Sequence, residues 1–209
     1  MNAQLPVLRC ERRALGDLSA DVSSACWWGV EAVELREAVS GTVPVQQTWV
    51  RAIWDEREWR VLFHCEDADA WATMSAHDAP LYEEETVEIF FDPVGNLESY
   101  YEIEVNPLGA VLDIVFRKSR SGYKGDRAWD CAGMRTLVRM SPGAWSAELS
   151  IPFAAVAEAP VPGARWRVNF CRIDRPSRDG SLPRELTAWS PPMRENFHTQ
   201  ERFGVVEFY

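Results

Sequence analysis

Short runs of alternating apolar and polar residues, separated by tight-turn residues, recur along most of this chain. That pattern leaves little room for any architecture but stacked β-strands. Residues 48–54, TWVRAIW, and 59–65, WRVLFHC, alternate with period two around a polar turn at Asp55 to Glu58, which predicts a β-hairpin. Further strands are predicted at 86–92, 99–106, 110–117, 134–140, 144–151, 165–173 and 203–208, punctuated by DPVGN, NPLG, SPG and VPG. Residues 66–85 read as an irregular acidic loop. Helical spacing is confined to 152–158 and 31–39. The expectation is an all-β fold: one antiparallel β-sandwich, jelly-roll or immunoglobulin-like, with one or two short helical turns and a single domain over 1–209.

Strand parity then sorts the side chains. Successive residues of a strand face opposite sides of the sheet. Val87, Ile89 and Phe91 point one way, and Thr86, Glu88, Phe90 and Asp92 the other. Tyr101, Ile103 and Val105 oppose Tyr100, Glu102, Glu104 and Asn106; Trp166, Val168 and Phe170 oppose Arg167, Asn169 and Cys171. If these strands pair, one face is dry core and the other gathers carboxylates and amides. A solvated face is common in antiparallel sheets. Here the carboxylates and amides lie near aromatics, and that combination suits sugar hydroxyls and the apolar faces of sugar rings.

The balance of charge narrows the partners. A formal net charge of −10 argues against nucleic acid and against an anionic membrane surface. Ten tryptophans outnumber five tyrosines, which reads first as a Trp-rich core. Cys10, Cys26, Cys65, Cys131 and Cys171 are widely spaced and odd in number, so free thiols are expected rather than a disulfide framework or a zinc site. No apolar run reaches transmembrane length, and the start, MNAQLPVLRCERR, lacks a signal-peptide core. The expected location is cytoplasmic unless a leader has been removed.

LYEEETVEIFFDP, YYEIEVNPLG, AWSAELSIPF, RWRVNFCRID and FHTQERFGVVEF follow one another in the order seen in family 9 carbohydrate-binding modules, and TWVRAIWDEREWRVLFHCED resembles the strand pair that precedes them. The resemblance spans roughly 40–208. It implies a DOMON-like sandwich that binds an oligo- or polysaccharide without hydrolysing it, usually with structural calcium. Position by position, it implies an aromatic clamp from Tyr82 and Phe197, with Glu88 and Asn106 hydrogen-bonding sugar hydroxyls. Glu104 stands where the family has a sugar-binding arginine. Trp71, Asn169, Trp189 and His198 are additional candidates.

Other readings stay open. Trp189 also suits a structural role near the last strands, and His198 and His77 lie in loops. His64 shares core parity with Leu62, and Arg172 falls on the core side, where it is expected to pair with an acid such as Asp174. Asp67, Asp69 and Asp78 are candidate calcium ligands against the alternative of a solvated acidic loop. Two further function classes remain. One is a glycoside hydrolase using Glu88 and Glu104, for which the flat polar face offers no evident means of raising a pKa. The other is a haem-binding DOMON-like domain, which would draw ligands from Met74, Met193 and the histidines.

Overall fold

The computed structural model describes residues 4–209. In chain order the strands are β1 (Val7–Arg12), β2 (Val33–Glu34), β3 (Arg36–Glu37), β4 (Thr48–Trp54), β5 (Glu58–Glu66), β6 (Thr86–Asp92) and β7 (Ser99–Val105). They continue with β8 (Val111–Ser119), β9 (Gly122–Asp126), β10 (Arg135–Ser141), β11 (Ala144–Pro152), β12 (Arg165–Asp174), β13 (Glu185–Ala188) and β14 (Gly204–Phe208). One short helix, α1 (Phe153–Val156), follows β11.

Two layers form. The first runs β9-β8-β7-β6-β12-β14-β1, with β13 continuing along the edge of β12 beyond β14 and carrying β3. The second runs β10-β11-β5-β4, with β2 on the outer edge of β4. Strand β1 belongs to both. Val7 to Cys10 pair parallel with β14, and Glu11 and Arg12 pair parallel with β4. The sandwich is therefore mixed rather than purely antiparallel.

The inner faces carry the side chains that alternation assigns to the core. Trp59 meets Phe91 and Trp166 across the layers at ring separations of 5.7 Å, and Phe63 meets Phe170 at 6.0 Å. Each such ring, removed from water, contributes on the order of 1.5–3 kcal/mol. The hairpin and the strands expected at 86–92, 99–106, 110–117, 134–140, 144–151, 165–173 and 203–208 all form, within a residue or two at their ends. The turn after β6 closes because the Asp92 carboxylate accepts from the amides of Val94 (2.9 Å) and Gly95 (2.7 Å).

Two local expectations are overturned. Residues 31–39 are not helical: Val33 and Glu34 pair with β4, the Leu35 amide donates to Thr48 O at 3.0 Å, and Arg36 and Glu37 pair with β13. The free backbone edges of β4 and β13 outweigh helical spacing there. Leu62 and His64 face outward, because Trp59, Val61, Phe63 and Cys65 occupy the inner face of β5. His64 is half-buried, pairs with Ser146 Oγ at 3.0 Å and stacks on Trp49, whereas Leu62 is covered by Leu15, Trp27 and Val30 of the N-terminal segment. That segment is pinned by buried charge. Arg60 Nη1 donates to the carbonyls of Leu15 and Gly16, each at 3.0 Å, and Glu148 Oε2 accepts from the amides of Ser19 and Ala20.

Arg172 does make the expected buried pair. Its Nη2 lies 2.7 Å from Asp67 Oδ2 and 3.5 Å from Asp174 Oδ1, and its Nη1 donates to Glu66 O. All five cysteines are free thiols. Among the described residues, no helix is long and apolar enough to cross a membrane.

Candidate functional site

The outward face of the first sheet is roofed rather than bare. Phe90, Tyr100 and Cys171 pack there against Phe197 and Phe203 from the segment that leads into β14. Polar ties hold that roof in place. Asn169 Nδ2 donates to Ser190 O at 3.0 Å, and the Ser190 amide donates back to Asn169 Oδ1 at 2.9 Å. Gln200 Nε2 donates to Asp92 Oδ2 at 2.7 Å. Between roof and sheet lies a cavity of about 340 Å³. Glu88 and Glu102 line it from the sheet, Ile114, Phe116 and Ile173 give it apolar wall, and Tyr82, Phe197 and His198 border it from the loops. Arg127 and Arg184 complete the rim.

Three carboxylates meet at the sheet wall. Glu88 of β6 is the cross-strand partner of Glu104 of β7, and Glu102 is the next outward residue of β7. Glu88 is 2% exposed, Glu102 4% and Glu104 0%. One oxygen from each lies within 4.8 Å of the other two. Among the described residues, Glu88 Oε1, Glu102 Oε2 and both oxygens of Glu104 have no hydrogen-bond partner. Burial raises the pKa of all three carboxyls. Repulsion from Glu102 adds to the rise at Glu88, and repulsion from Glu88 and Glu102 adds at Glu104. Burial pushes Glu102 up to about 7, with the Arg127 charge working the other way. The polar face therefore does contain a means of raising a pKa, contrary to the sequence reading, and it is desolvation by the roof.

The nine candidate residues divide. Tyr82, Glu88, Phe197 and His198 border the cavity together, although they come from widely separated parts of the chain. Tyr82 is exposed, and its Oη accepts from Arg127 Nη2 at 3.0 Å. Phe197 is only 6% exposed and rests on Phe90 at 6.1 Å, so it borders the cavity from a packed position. His198 Nδ1 shares a 2.9 Å hydrogen bond with Tyr100 Oη. Glu104 lies behind the cavity wall.

The other four do not reach the cavity. Asn106 is fully buried and committed to the β7–β8 turn: its Nδ2 donates to Met74 O at 2.7 Å and its Oδ1 accepts from the amides of Leu108 and Ala110. Asn169 is committed to Ser190, as described above. Trp71 Nε1 donates to Arg175 O at 2.8 Å. Trp189 packs on Phe170 at 5.5 Å and against Gly204, where an added Cβ would lie 2.6 Å from the indole. Of the haem candidates, Met74 packs beside Leu112 and Ile114, and Met193 is exposed.

Sequence reasoning left Glu102, Ile114, Phe116, Arg127 and Arg184 out of the site. The first three were legible by parity, since Glu102 falls with Glu88 and the alternation Leu112, Ile114, Phe116 marks the outward face of β8. The two arginines lie outside the strands and carry no such signal.

Asp67, Asp69 and Asp78 do not converge. Asp67 joins Glu85 and Asp174 beside Arg172, with ligand atoms within 4.8 Å of one another. Burial and the neighbouring Asp67 push Glu85 up to about 9. Asp78 instead joins His77 and Asp113, while exposed Asp69 lies 3.9 Å from Arg178.

Comparison with known proteins agrees with this architecture. A protein from Bacteroides uniformis, provisionally assigned to carbohydrate binding, superposes with a TM-score of 0.78 at 18% identity, over 99% of this chain and 100% of that one. A family 9 carbohydrate-binding module from Caldicellulosiruptor kristjanssonii, solved with glucose, gives 0.70 at 15% identity over 98% and 96%. The same organism's module with cellotriose gives 0.66 at 16% over 97% and 93%. An extracellular protein of Arthroderma benhamiae is 23% identical over 198 residues, covering 88% of this chain and 87% of its own. The endo-1,4-beta-xylanase A of Thermotoga neapolitana is 24% identical over 181 residues, and the match covers 85% of this chain but only 16% of that enzyme. The model of the family described as carbohydrate family 9 binding domain-like matches residues 19–209, and the chain belongs to that family.

Proposed function

We propose that this domain binds an oligo- or polysaccharide without cleaving it, in the cavity between β6–β8 and the roof. The observation that carries the reading is the lining itself: aromatic rings from two distant loops, Tyr82 and Phe197, around a wall of carboxylate acceptors. Rings cover apolar sugar faces, and carboxylates take hydrogen bonds from sugar hydroxyls. The glucose and cellotriose complexes of the Caldicellulosiruptor modules support a glucan-type ligand.

Catalysis is a poorer reading of the same groups. Hydrolases set two carboxyls about 5–10 Å apart on either side of the scissile bond. Glu88 and Glu102 approach from one wall, and Glu104 does not border the cavity. A glycan array followed by calorimetry on each hit tests the proposal. Binding of an intact glycan, with no reducing ends released, is the expected result; no glycan bound by the array or in solution would overturn it.

The calcium that the family resemblance implies finds its best fit at Asp67, Glu85 and Asp174. Glu85 Oε1 and Asp174 Oδ1 are buried there without hydrogen-bond donors, and calcium takes hard oxygen ligands. A melting temperature higher in millimolar calcium than in EDTA, with the difference lost in Glu85→Gln, is the expected outcome.

A further inference from the structure

We infer that the cavity selects a sugar carrying a protonated amine, such as a β-linked glucosamine oligomer, over its neutral counterpart. The inference rests on the carbohydrate-binding reading and adds the charge of the ligand. The sheet wall offers acceptors without donors: Glu88 Oε1, Glu102 Oε2 and both oxygens of Glu104 are unpartnered. All three side chains are more than nine-tenths buried, and Glu88 and Glu102 open onto the cavity. A neutral hydroxyl brings one donor and lone pairs that need donors of their own. An ammonium brings three donors and no acceptor, plus the positive charge that three clustered carboxyls lack.

The charged groups facing this cluster are few. Arg127 and Arg184 stand on the rim, and Arg127 is engaged with Tyr82 Oη. Glu195 and His198 border the cavity, and buried Cys171 is the cross-strand partner of Glu88. None is placed to donate a hydrogen bond to Glu104, whose oxygens remain unpartnered. A bare metal ion is the other cation that three carboxylates attract. It would leave most of a cavity of about 340 Å³ and its aromatic border unused, whereas a sugar ring fills both.

The test is calorimetric titration of the whole protein with glucosamine trimer, N-acetylglucosamine trimer and cellotriose at pH about 7, where much of the amine still holds its proton and Glu102 begins to release its own. The expected result is about tenfold or greater preference for the glucosamine trimer over each neutral trimer, the range of a charge-assisted hydrogen bond. In Glu88→Gln, at the unpartnered carboxyl that opens onto the cavity, that ratio falls toward one. A wild type that binds a neutral trimer as tightly as the glucosamine trimer overturns the inference and leaves the sugar-binding reading standing. If no trimer and no glycan of the array binds, both fall. Calcium or manganese that binds the wild type but not Glu88→Gln, and displaces the glucosamine trimer, overturns it in favour of an ion site.

Discussion

Replacing Glu102 by glutamine isolates the energetic cost of the carboxyls beneath the cavity. The side chain keeps its shape, loses its ionisation and gains an amide that can donate to an unpartnered oxygen of Glu104. In the unfolded chain Glu102 ionises near 4.5, while in the folded protein it holds its proton to about 7. Between those values the folded state binds more protons than the unfolded state, so this group's contribution makes stability fall as pH rises. Below about 4.5 both states are protonated and the contribution vanishes. Above about 7 it levels off at about 3 kcal/mol of lost stability, taking about 1.4 kcal/mol for each tenfold of proton affinity.

Glu102→Gln is therefore expected to match wild type near pH 4 and to exceed it by up to about 3 kcal/mol near pH 8. For a chain of this size that corresponds to a melting temperature about 6–12 °C higher. Urea unfolding followed by the fluorescence of the ten tryptophans reads the difference, as a shifted midpoint at unchanged slope. Comparison with wild type at each pH cancels the titration of remote carboxylates, while the relief of repulsion at Glu88 and Glu104 adds to the gain in the same direction. A stability difference independent of pH, or one that grows toward acid, would refute the reasoning.

Other substitutions test other parts. Arg172→Met leaves Asp67 and Asp174 without their buried cation and should cost about 3–5 kcal/mol in denaturant unfolding at neutral pH. Gly204→Ala places a methyl 2.6 Å from the Trp189 indole and should cost about 1–3 kcal/mol, visible as a lower melting temperature with altered near-UV dichroism. Tyr82→Ala should weaken the tightest glycan identified by the array about tenfold while leaving thermal stability within about 0.5 kcal/mol, because the ring is exposed. Phe197→Ala should lower both affinity and stability, the latter by about 3–5 kcal/mol, because the same ring is packed on Phe90.

Most of the sandwich was legible because its long strands turn an apolar row of side chains to the core and a more polar row away from it. Alternation over seven to ten residues in β4, β6 and β12 fixes which side chains face inward, and the structure keeps that assignment. It was misleading where the outward row also buries an apolar side chain. In β5, Trp59 to Phe63 are all buried, so Leu62 is as apolar as its inward neighbours, and parity alone cannot say that the N-terminal segment covers it. The short strands were hidden for a different reason. β2 and β3 contain two residues each and exist only because the edges of β4 and β13 need partners, a long-range requirement that local spacing does not display. β1 is similar: four of its six residues pair with the last strand of the chain.

The candidate site separates what a strand pattern determines from what its surroundings determine. Parity placed Glu88, Glu102, Glu104, Asn106 and Asn169 on one face; four of them share it, and Asn106 stands just past the end of β7, in the turn. Their roles then diverge according to what each meets. Asn106 and Asn169 stand beside free backbone groups of a turn and of the roof, and an amide, with both donor and acceptor, is consumed by them. A carboxylate has only acceptors, and the backbone donors near β6 and β7 are already committed to the ladder between them. The glutamates are consequently left over, and burial without partners is costly unless protons or a ligand supply the missing donors. The same roof that conceals the cavity from a reading of the sequence is what gives its carboxyls their raised proton affinity. A change that opens the roof, such as Asn169→Ala at the Ser190 tie, should then move Glu102 back toward 4.5. Carbon-13 NMR titration of the glutamate carboxyls reads that movement directly. An unchanged midpoint in a folded Asn169→Ala protein would mean that repulsion among the carboxyls, rather than desolvation, sets their affinity for protons.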